Sequence, residues 1–330
     1  MPKAHISGTG FFVPPKIVTN NKLSQLMDTN DKWIQERTGI KERRYAENGV
    51  YTSDLAVPAV DMALKNAKLT KDDIGLIIFA TSTPDYYAPG SGCLLQDKMN
   101  FPNIGALDIR VQCSGFVYGL SIAQQYIENK TFKHVLVIGA EVQSTAMDIT
   151  TRGRDTAIIF GDGAGVAVVS ASKDDSGIIS THLHSDGSYA KELWVEAPSS
   201  GISPRLDKKM LDEGKHFLKM NGREVFRHAV SRFPEVINEA LEENSLNVND
   251  IDLLIPHQAN IRIAQMIQKK LNLKDNQIFS NIHKYGNTTA ASIPIALAEA
   301  ISEGRVKKGD LIVFAAFGSG FTWASAIVKW

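Results

Sequence analysis

The sequence predicts a layered α/β protein built from two similar halves, and three observations carry that prediction. Short continuous apolar runs alternate along the chain with segments of helical period. The grammar of the first half returns in the second at a nearly constant offset. At 330 residues the chain also exceeds what one hydrophobic core usually encloses, which favours two lobes or one large α/β unit.

The elements follow in order. "DLAVPAVDMALKNAKL" (54–69) spaces its apolar residues at three and four, as a helix does. "IGLIIFATS" (74–82) is a continuous apolar run, the signature of a strand buried on both faces. "GFVYGLSIAQQYIENK" (115–130) reads as a helix and "HVLVIGAE" (134–141) as a second buried strand. "DLLIPH" (252–257), "NIRIAQMIQKKLNL" (260–273), "SIPIALAEAISEGR" (292–305) and "DLIVFAAF" (310–317) repeat the alternation. "APSSGISPRLDKKMLDEGKHF" (197–217) lacks an apolar period until its end and is expected to be a surface loop or short helical excursion.

The offset supports a duplication. "KDDIGLIIFATST" echoes "VNDIDLLIPHQAN", with Ile74 and Ile251 lying 177 residues apart, and "KHVLVIGA" echoes "KGDLIVFAA" at an offset of 175. The polar run "SASKDDSG" (170–177) is the natural joint, dividing the chain into halves 1–172 and 173–330.

Composition narrows the function classes. Thirty-six basic residues balance 36 acidic ones, so no net field draws the chain to nucleic acid or a membrane surface. The opening "MPKAHISGTGFFVPP" has no long apolar core, and no segment approaches the run of about 18 apolar residues that a membrane span requires. A cytoplasmic location is expected. Two cysteines cannot form a disulfide framework, which suits a reducing compartment.

One of those cysteines sits in "DIRVQCSGFVYGL", where a strand gives way to a helix. A sulfur there would lie over the first unpaired N–H groups of the helix, which favour an anion and lower the thiol pKa. Ser114 and Gly115 are expected to cap the turn and allow a close approach. Cys113 is thus either a nucleophile or a small buried hydrophobe, which most free cysteines are. Cys93, in "PGSGCLLQDKM", has no comparable setting and is expected to be such a hydrophobe.

Of eight histidines, seven (His5, His134, His182, His184, His216, His228 and His283) give no strong signal. His257 follows the buried run "DLLIP" and falls at the carboxyl end of a strand, where open α/β sheets place ligands. In "HKYGNTTAASIPIAL" a Gly-Asn-Thr-Thr turn opens a small-residue helix. The internal offset carries Cys113 to about residue 289, so this turn should be the counterpart of the cysteine turn, with Asn287 facing Cys113. Helix capping is the bland alternative for Asn287.

The stretches "WIQERTGIKERR", "CSGFVYGLSIAQQYI", "IIFGDGAGVAVV", "STHLHSDGSY", "MNGREVFRHAV", "PHQANIRI", "YGNTTAAS" and "AFGSGFTWASAIV" stand in this order over essentially the whole chain. Together they resemble the successive motifs of the β-ketoacyl-acyl carrier protein synthase III enzymes, members of the thiolase superfamily. The resemblance implies a thiolase-like duplicated fold, two pseudo-symmetric halves forming an α-β-α-β-α core. It also implies decarboxylative Claisen condensation of an acyl-CoA primer with malonyl-acyl carrier protein, initiating fatty acid biosynthesis. The alternative is a ketosynthase III-like condensing enzyme of secondary metabolism, making a polyketide, quinolone or head-to-head hydrocarbon.

The resemblance assigns Cys113, His257 and Asn287 as the catalytic trio, acting by ping-pong through an acyl-cysteine. The N–H groups of Cys113 and of Ser319, in "GSG", would form the oxyanion hole. Trp33 and Arg154 would stack around the CoA adenine, with Arg37, Gly222, Phe226 and Asn260 along the pantetheine path. Phe317 would shape a dry site, and Arg227, Arg262, Lys269 and Lys270 would form a positive rim for the acidic carrier protein. No cofactor and no metal is implied, and a homodimer is.

Three departures are visible. Asp155 stands where many members have glycine, Arg223 where asparagine is usual, and Ser319 interrupts a usual triple glycine. Ala88 stands where some members put a phenylalanine that reaches the partner's acyl pocket, which implies room for primers longer or more branched than acetyl. "FGDGAG" (160–165) is not a phosphate-binding loop, because "VAVVSA" after it reads as a strand; its glycines are expected to serve tight turns and close packing. A papain-like hydrolase also uses cysteine, histidine and asparagine, but the internal repeat and the missing protease motifs argue against it. Retention of all three chemical residues argues against a non-catalytic thioester-binding relative.

Overall fold

The computed structural model describes residues 3–172 and 174–330. Along the first half run β1 (Ala4–Phe12), β2 (Ile17–Thr19), α1 (Asn20–Leu23), α2 (Asp31–Thr38), β3 (Glu42–Arg44) and α3 (Thr52–Ala67). Then come β4 (Leu76–Ala80), α4 (Ser91–Lys98), β5 (Gly105–Ile109), α5 (Gly115–Glu128), β6 (His134–Glu141), α6 (Arg154–Ala157) and β7 (Gly163–Ala171). After it follow β8 (Gly177–Ser185), β9 (Leu193–Val195), α7 (Lys208–Asp212), β10 (Leu218–Met220) and α8 (Gly222–Glu243). The chain closes with β11 (Leu253–Pro256), α9 (Ile261–Leu271), α10 (Ile282–Tyr285), α11 (Ser292–Ser302), β12 (Leu311–Gly318) and β13 (Thr322–Lys329).

Two sheets repeat one topology. The first has the order β1-β7-β6-β4-β5 and the second β11-β12-β13-β8. In the first, β4 and β6 are parallel while β6–β7 and β7–β1 are antiparallel. In the second, β11 and β12 are parallel while β12–β13 and β13–β8 are antiparallel. Strand β5 is the one addition, at the edge of the first sheet and parallel to β4. The joint expected at 170–177 lies between β7 and β8, and Lys173 within it falls outside the described residues.

Successive side chains on a strand point to opposite faces. Ile78 on β4 and Phe314 on β12 enter a central core with Phe116 and Leu120 of α5 and Ile293 and Leu297 of α11. Their neighbours Ile77 and Phe79 pack outward against Leu55 and Val60 of α3. Val313 and Phe317 pack outward against Phe233 and Ile237 of α8. Five layers result, α3, sheet, α5 with α11, sheet, and α8 with α9, and burial of both strand faces explains the unbroken apolar runs. The stretch 197–217 contains bends and only the short helix α7. Within "FGDGAG", a Cβ on Gly165 would come 2.7 Å from the Ile295 nitrogen, so close packing is the role of that glycine. Among the described residues no helix is long and apolar enough to cross a membrane.

Candidate active site

The cysteine turn and its counterpart meet between the sheets. After β5, residues Gln112–Ser114 form a 3-10 turn and α5 begins at Gly115. In the second half Thr289–Ala291 form the matching turn ahead of α11, at an offset of 177. Each turn opens on a left-handed residue, Gln112 at φ 43° and Thr289 at φ 53°. For residues with a Cβ that conformation costs roughly 1–2 kcal/mol, and it appears at both equivalent positions.

Cys113 is buried and lines a cavity of about 940 Å³ shared with His257 and Asn287. Gly318 at the end of β12 makes room for it: a Cβ there would come 2.6 Å from the Cys113 Cβ and 3.0 Å from its Sγ. Burial, with the Glu141 charge behind it, pushes the thiol up to about 12 against the pull of the Cys113 and Ser319 N–H groups. This corrects the expectation of a depressed pKa. A rise of that size corresponds to about 4 kcal/mol, while a helix N-terminus supplies at most about 2 kcal/mol. The resting thiol is therefore protonated. The capping role expected of Ser114 is also corrected: its Oγ donates instead to the Thr322 carbonyl at 3.2 Å. Gly115 does serve a close approach, since a Cβ there would come 2.8 Å from that of Ala80.

His257 leaves the end of β11, with its N–H donating to the Ala315 carbonyl at 2.8 Å. Its Nδ1 lies 2.6 Å from Ser292 Oγ. That hydroxyl also accepts from the Gln258 N–H at 3.3 Å, so its own proton is free to go to Nδ1. With Nδ1 engaged by the hydroxyl, Nε2 is the ring nitrogen left for the cavity, and this pattern accommodates the tautomer that carries its hydrogen there. Burial lowers the imidazole pKa to about 3, so the ring is neutral.

Asn287 is stitched to the first half by backbone bonds, its N–H to the Ile159 carbonyl at 2.9 Å and its carbonyl from the Gly161 N–H at 3.0 Å. Its Oδ1 accepts from the Thr289 N–H at 2.8 Å. The amide orientation is thereby fixed with the Nδ2 donors turned away from that bond.

A second polar system, centred on Glu141, has Ser82, Thr83, Gln143 and Thr289 in the cavity wall. Glu141, at the end of β6, is fully buried and accepts from Ser82 N–H at 3.0 Å and from Thr83 Oγ1 at 2.7 Å. Burial nevertheless raises its pKa to about 7. Gln143 Nε2 bridges Ser82 Oγ at 2.8 Å and Thr289 Oγ1 at 2.9 Å, tying this loop to the asparagine turn. Ser292, Glu141 and Gln143 were not singled out by sequence reading. For Ser292 the offset was an available signal, because α11 begins there 177 residues after Gly115.

At the mouth, the guanidinium carbons of Arg37 and Arg154 lie 4.2 and 5.2 Å from the Trp33 ring centroid. These three line the cavity, as do Gly222, Phe226, Asn260, Arg262 and Phe317, together with Asp155, Arg223 and Ser319. Asn260 caps α9 by accepting from Arg262 N–H at 2.9 Å and donates through Nδ2 to the Arg37 carbonyl at 3.0 Å. Arg110 and Gln112 also line the cavity, and sequence reading did not select them.

Other expected residues lie apart. Ala88 is exposed and does not line the cavity. Arg227, Lys269 and Lys270 are exposed on α8 and α9; Arg227 pairs with Glu224, and Lys270 Nζ donates to the Val230 carbonyl at 2.8 Å. Cys93 is exposed on α4, which corrects its expected burial: α4 covers the end of the sheet with Leu95 inward and Cys93 outward.

The geometry can be set beside known proteins. The family model described as 3-oxoacyl-[acyl-carrier-protein (ACP)] synthase III matches residues 107–187, and that of its C-terminal portion matches 241–330. The chain is 47% identical over 328 residues to "Beta-ketoacyl-[acyl-carrier-protein] synthase III" of Clostridioides difficile, covering 99% of this chain and 98% of that protein. It is 46% identical over 327 residues to the protein of the same name from Caldanaerobacter subterraneus, with the same coverage. Its fold superposes on the crystal structure of 3-oxoacyl-[acyl-carrier-protein] synthase III from Aquifex aeolicus with a TM-score of 0.91 at 42% identity, over 99% of this chain and 100% of that one. The cysteine turn falls within the first matched segment and the histidine and asparagine within the second, and the chain belongs to the 3-oxoacyl-[acyl-carrier-protein] synthase III family.

Proposed function

We propose that this protein initiates fatty acid biosynthesis by condensing an acyl-CoA primer with malonyl-acyl carrier protein, with loss of carbon dioxide. The observation that carries the reading is the convergence of Cys113, His257 and Asn287 on one cavity whose mouth holds Trp33 near two guanidiniums. Relatives that match nearly the whole chain at 42–47% identity bear the β-ketoacyl synthase III name, which favours this over a role in secondary metabolism.

In the first half-reaction the Cys113 sulfur attacks the acyl-CoA thioester. The new S–C bond replaces the bond to CoA, and the thiol proton ends on the departing CoA sulfur. The tetrahedral oxyanion is held by the N–H groups of Cys113 and Ser319, both of which already face the sulfur. In the second, the malonyl thioester oxygen takes hydrogen bonds from His257 Nε2–H and Asn287 Nδ2–H. Breaking the bond to carbon dioxide sends its electron pair toward that oxygen, where donors that need no reorganisation stabilise the growing charge. The carbanion then attacks the acyl-cysteine carbonyl, a C–C bond forms, and the expelled sulfur is reprotonated.

Trp33, Arg37 and Arg154 offer flat faces to an adenine, and Gly222, Phe226 and Asn260 line the path of the pantetheine arm. Phe317, buried on β12, keeps water from the reacting carbon. Arg262, Lys269, Lys270 and Arg227 form the docking rim for the acidic carrier protein. Both thioesters are substrates, and no cofactor enters. The exposed edge strand β5, with Leu107 turned outward, supports pairing of two copies through the first half, residues 1–172, with 173–330 as the second half. Ala88, exposed and outside this chain's own cavity, would leave room in the acyl pocket of a second copy for a primer longer than acetyl; strict acetyl preference in a chain-length profile would remove that part.

The test is intact-mass spectrometry after incubation with acyl-CoA, followed by malonyl-acyl carrier protein with carbon dioxide measured. One acyl group per chain, absent in Cys113→Ala, and its discharge as a β-ketoacyl product are expected. Absence of the adduct would overturn the reading.

A further inference from the structure

Outside the Cys113 cavity, β8 and α8 bring together four side chains whose spacing is that of a ligand set. His182 and His184 stand two apart on one face of β8, the edge strand of the second sheet. Glu239 and Glu243 stand one turn apart on α8, which packs over that face. We propose that His182, Glu239 and Glu243 bind a divalent transition-metal ion of the zinc class.

The distances lie at the loose end of ion pairing and suit a set of ligands around a shared ion. His182 Nδ1 lies 3.8 Å from Glu239 Oε1 and 3.6 Å from Glu243 Oε2. Hydrogen bonds between such groups run at about 2.7–3.2 Å, so neither is one. Two ligands each about 2.0–2.2 Å from a shared ion stand roughly 3–3.5 Å apart, which small rotamer shifts here would reach. The three ligating atoms lie within 4.8 Å of one another.

Their outer partners are those of metal ligands. Nε2 of His182, the nitrogen turned away from the carboxylates, lies 3.1 Å from Ser180 Oγ. That hydroxyl accepts from Asn244 Nδ2 at 2.7 Å, which fixes the ring and leaves Nδ1 toward the acids. The second oxygen of Glu239 is held by His184 Nε2 at 2.7 Å, and the His184 ring stacks on Trp323 at 5.4 Å. One imidazole with two carboxylates suits a borderline ion better than calcium or magnesium, which favour oxygen alone. His182 is buried while Glu243 is largely exposed, so the ion has an entrance and a firm floor. Bound there, it would fasten the sheet edge to the far end of the helix whose first turns line the active-site cavity.

The experiment uses the full chain, stripped with a chelator and desalted, then titrated with Zn²⁺ by calorimetry and with Co²⁺ by visible absorption. One ion per chain and a saturable rise in Tm are expected. Glu243→Gln should weaken binding roughly ten- to a hundredfold while leaving the Tm of the stripped protein unchanged. Cys113→Ala should leave binding intact, which separates this site from the active-site thiol. No saturable binding of either ion, undiminished binding by Glu243→Gln, or loss in Cys113→Ala would overturn the proposal.

Discussion

Ser292 Oγ lies 2.6 Å from His257 Nδ1 and fixes which nitrogen of the ring faces the cavity. The two residues come from β11's end and α11's start, so the serine is a positioning residue with no substrate contact of its own. Ser292→Ala frees the ring to rotate and to change tautomer. The condensation kcat should fall roughly ten- to a hundredfold, with acyl transfer from acyl-CoA to Cys113 nearly unchanged. Separate assays of the two half-reactions check this; equal losses in both would mean a general disturbance.

Asn287 is expected to be less tolerant of charge than of size. Asn287→Asp puts a carboxylate where negative charge develops, in place of a donor. Loss of one such donor costs roughly 10²–10³ in rate, and the aspartate should lose at least as much as Asn287→Ala. Malonyl decarboxylation on the preacylated enzyme is the measurement, and a milder aspartate variant would contradict the assignment.

Two buried groups act oppositely on stability against pH. Glu141 has a folded pKa near 7, above its ordinary value of 4.5, so the native state holds a proton that the unfolded chain has lost. Its contribution is full below about 4.5 and is lost as pH rises to 7, about 3 kcal/mol in all. His257 has a folded pKa near 3 against 6.5, so its contribution is full above 6.5 and is lost as pH falls toward 3. The two slopes offset between about 4.5 and 6.5. Glu141→Gln should make Tm fall more steeply with acid in that window, and His257→Asn should make it fall toward neutral pH. Thermal melts at several pH values check both signs.

Cys113 and Cys93 form an internal comparison. The buried thiol, near pKa 12, is ionised to about one part in ten thousand at pH 8, far less than a free cysteine. Iodoacetamide should label exposed Cys93 first and Cys113 at least about tenfold more slowly. Glu141→Gln removes the charge behind the thiol and should narrow the gap. Peptide mass mapping over time reads both sites.

On the proposed reading, in which the Trp33 ring at the mouth binds CoA and touches no reacting atom, Trp33→Ala should raise KM for acyl-CoA roughly tenfold with little effect on kcat. Steady-state kinetics at saturating malonyl-acyl carrier protein check it.

Much of this architecture was legible in the sequence because it rests on local patterns. The runs at 76–80 and 311–317 are apolar at every position since both faces of β4 and β12 are covered, and the 177-residue echo marks the duplication directly. The setting of Cys113 between a strand and a helix was visible for the same reason. Its protonation was not, because desolvation depends on what Gly318 and the second half bring over it. Ser292 and Glu141 were hidden likewise: a serine at a helix start and a glutamate at a strand end have common local roles, and only the tertiary fold aims one at His257 and encloses the other. His182 and His184 gave no signal because their acidic neighbours lie more than fifty residues away on α8.

The neutral thiol has a consequence between turnovers. Peroxide oxidises the sulfur anion to sulfenate, and the further step to sulfinate can follow only once that first one has occurred. By holding Cys113 as S–H until a thioester arrives, the fold leaves it a poor target for oxidative damage. A nucleophile that is slow to awaken is in this sense also one that lasts.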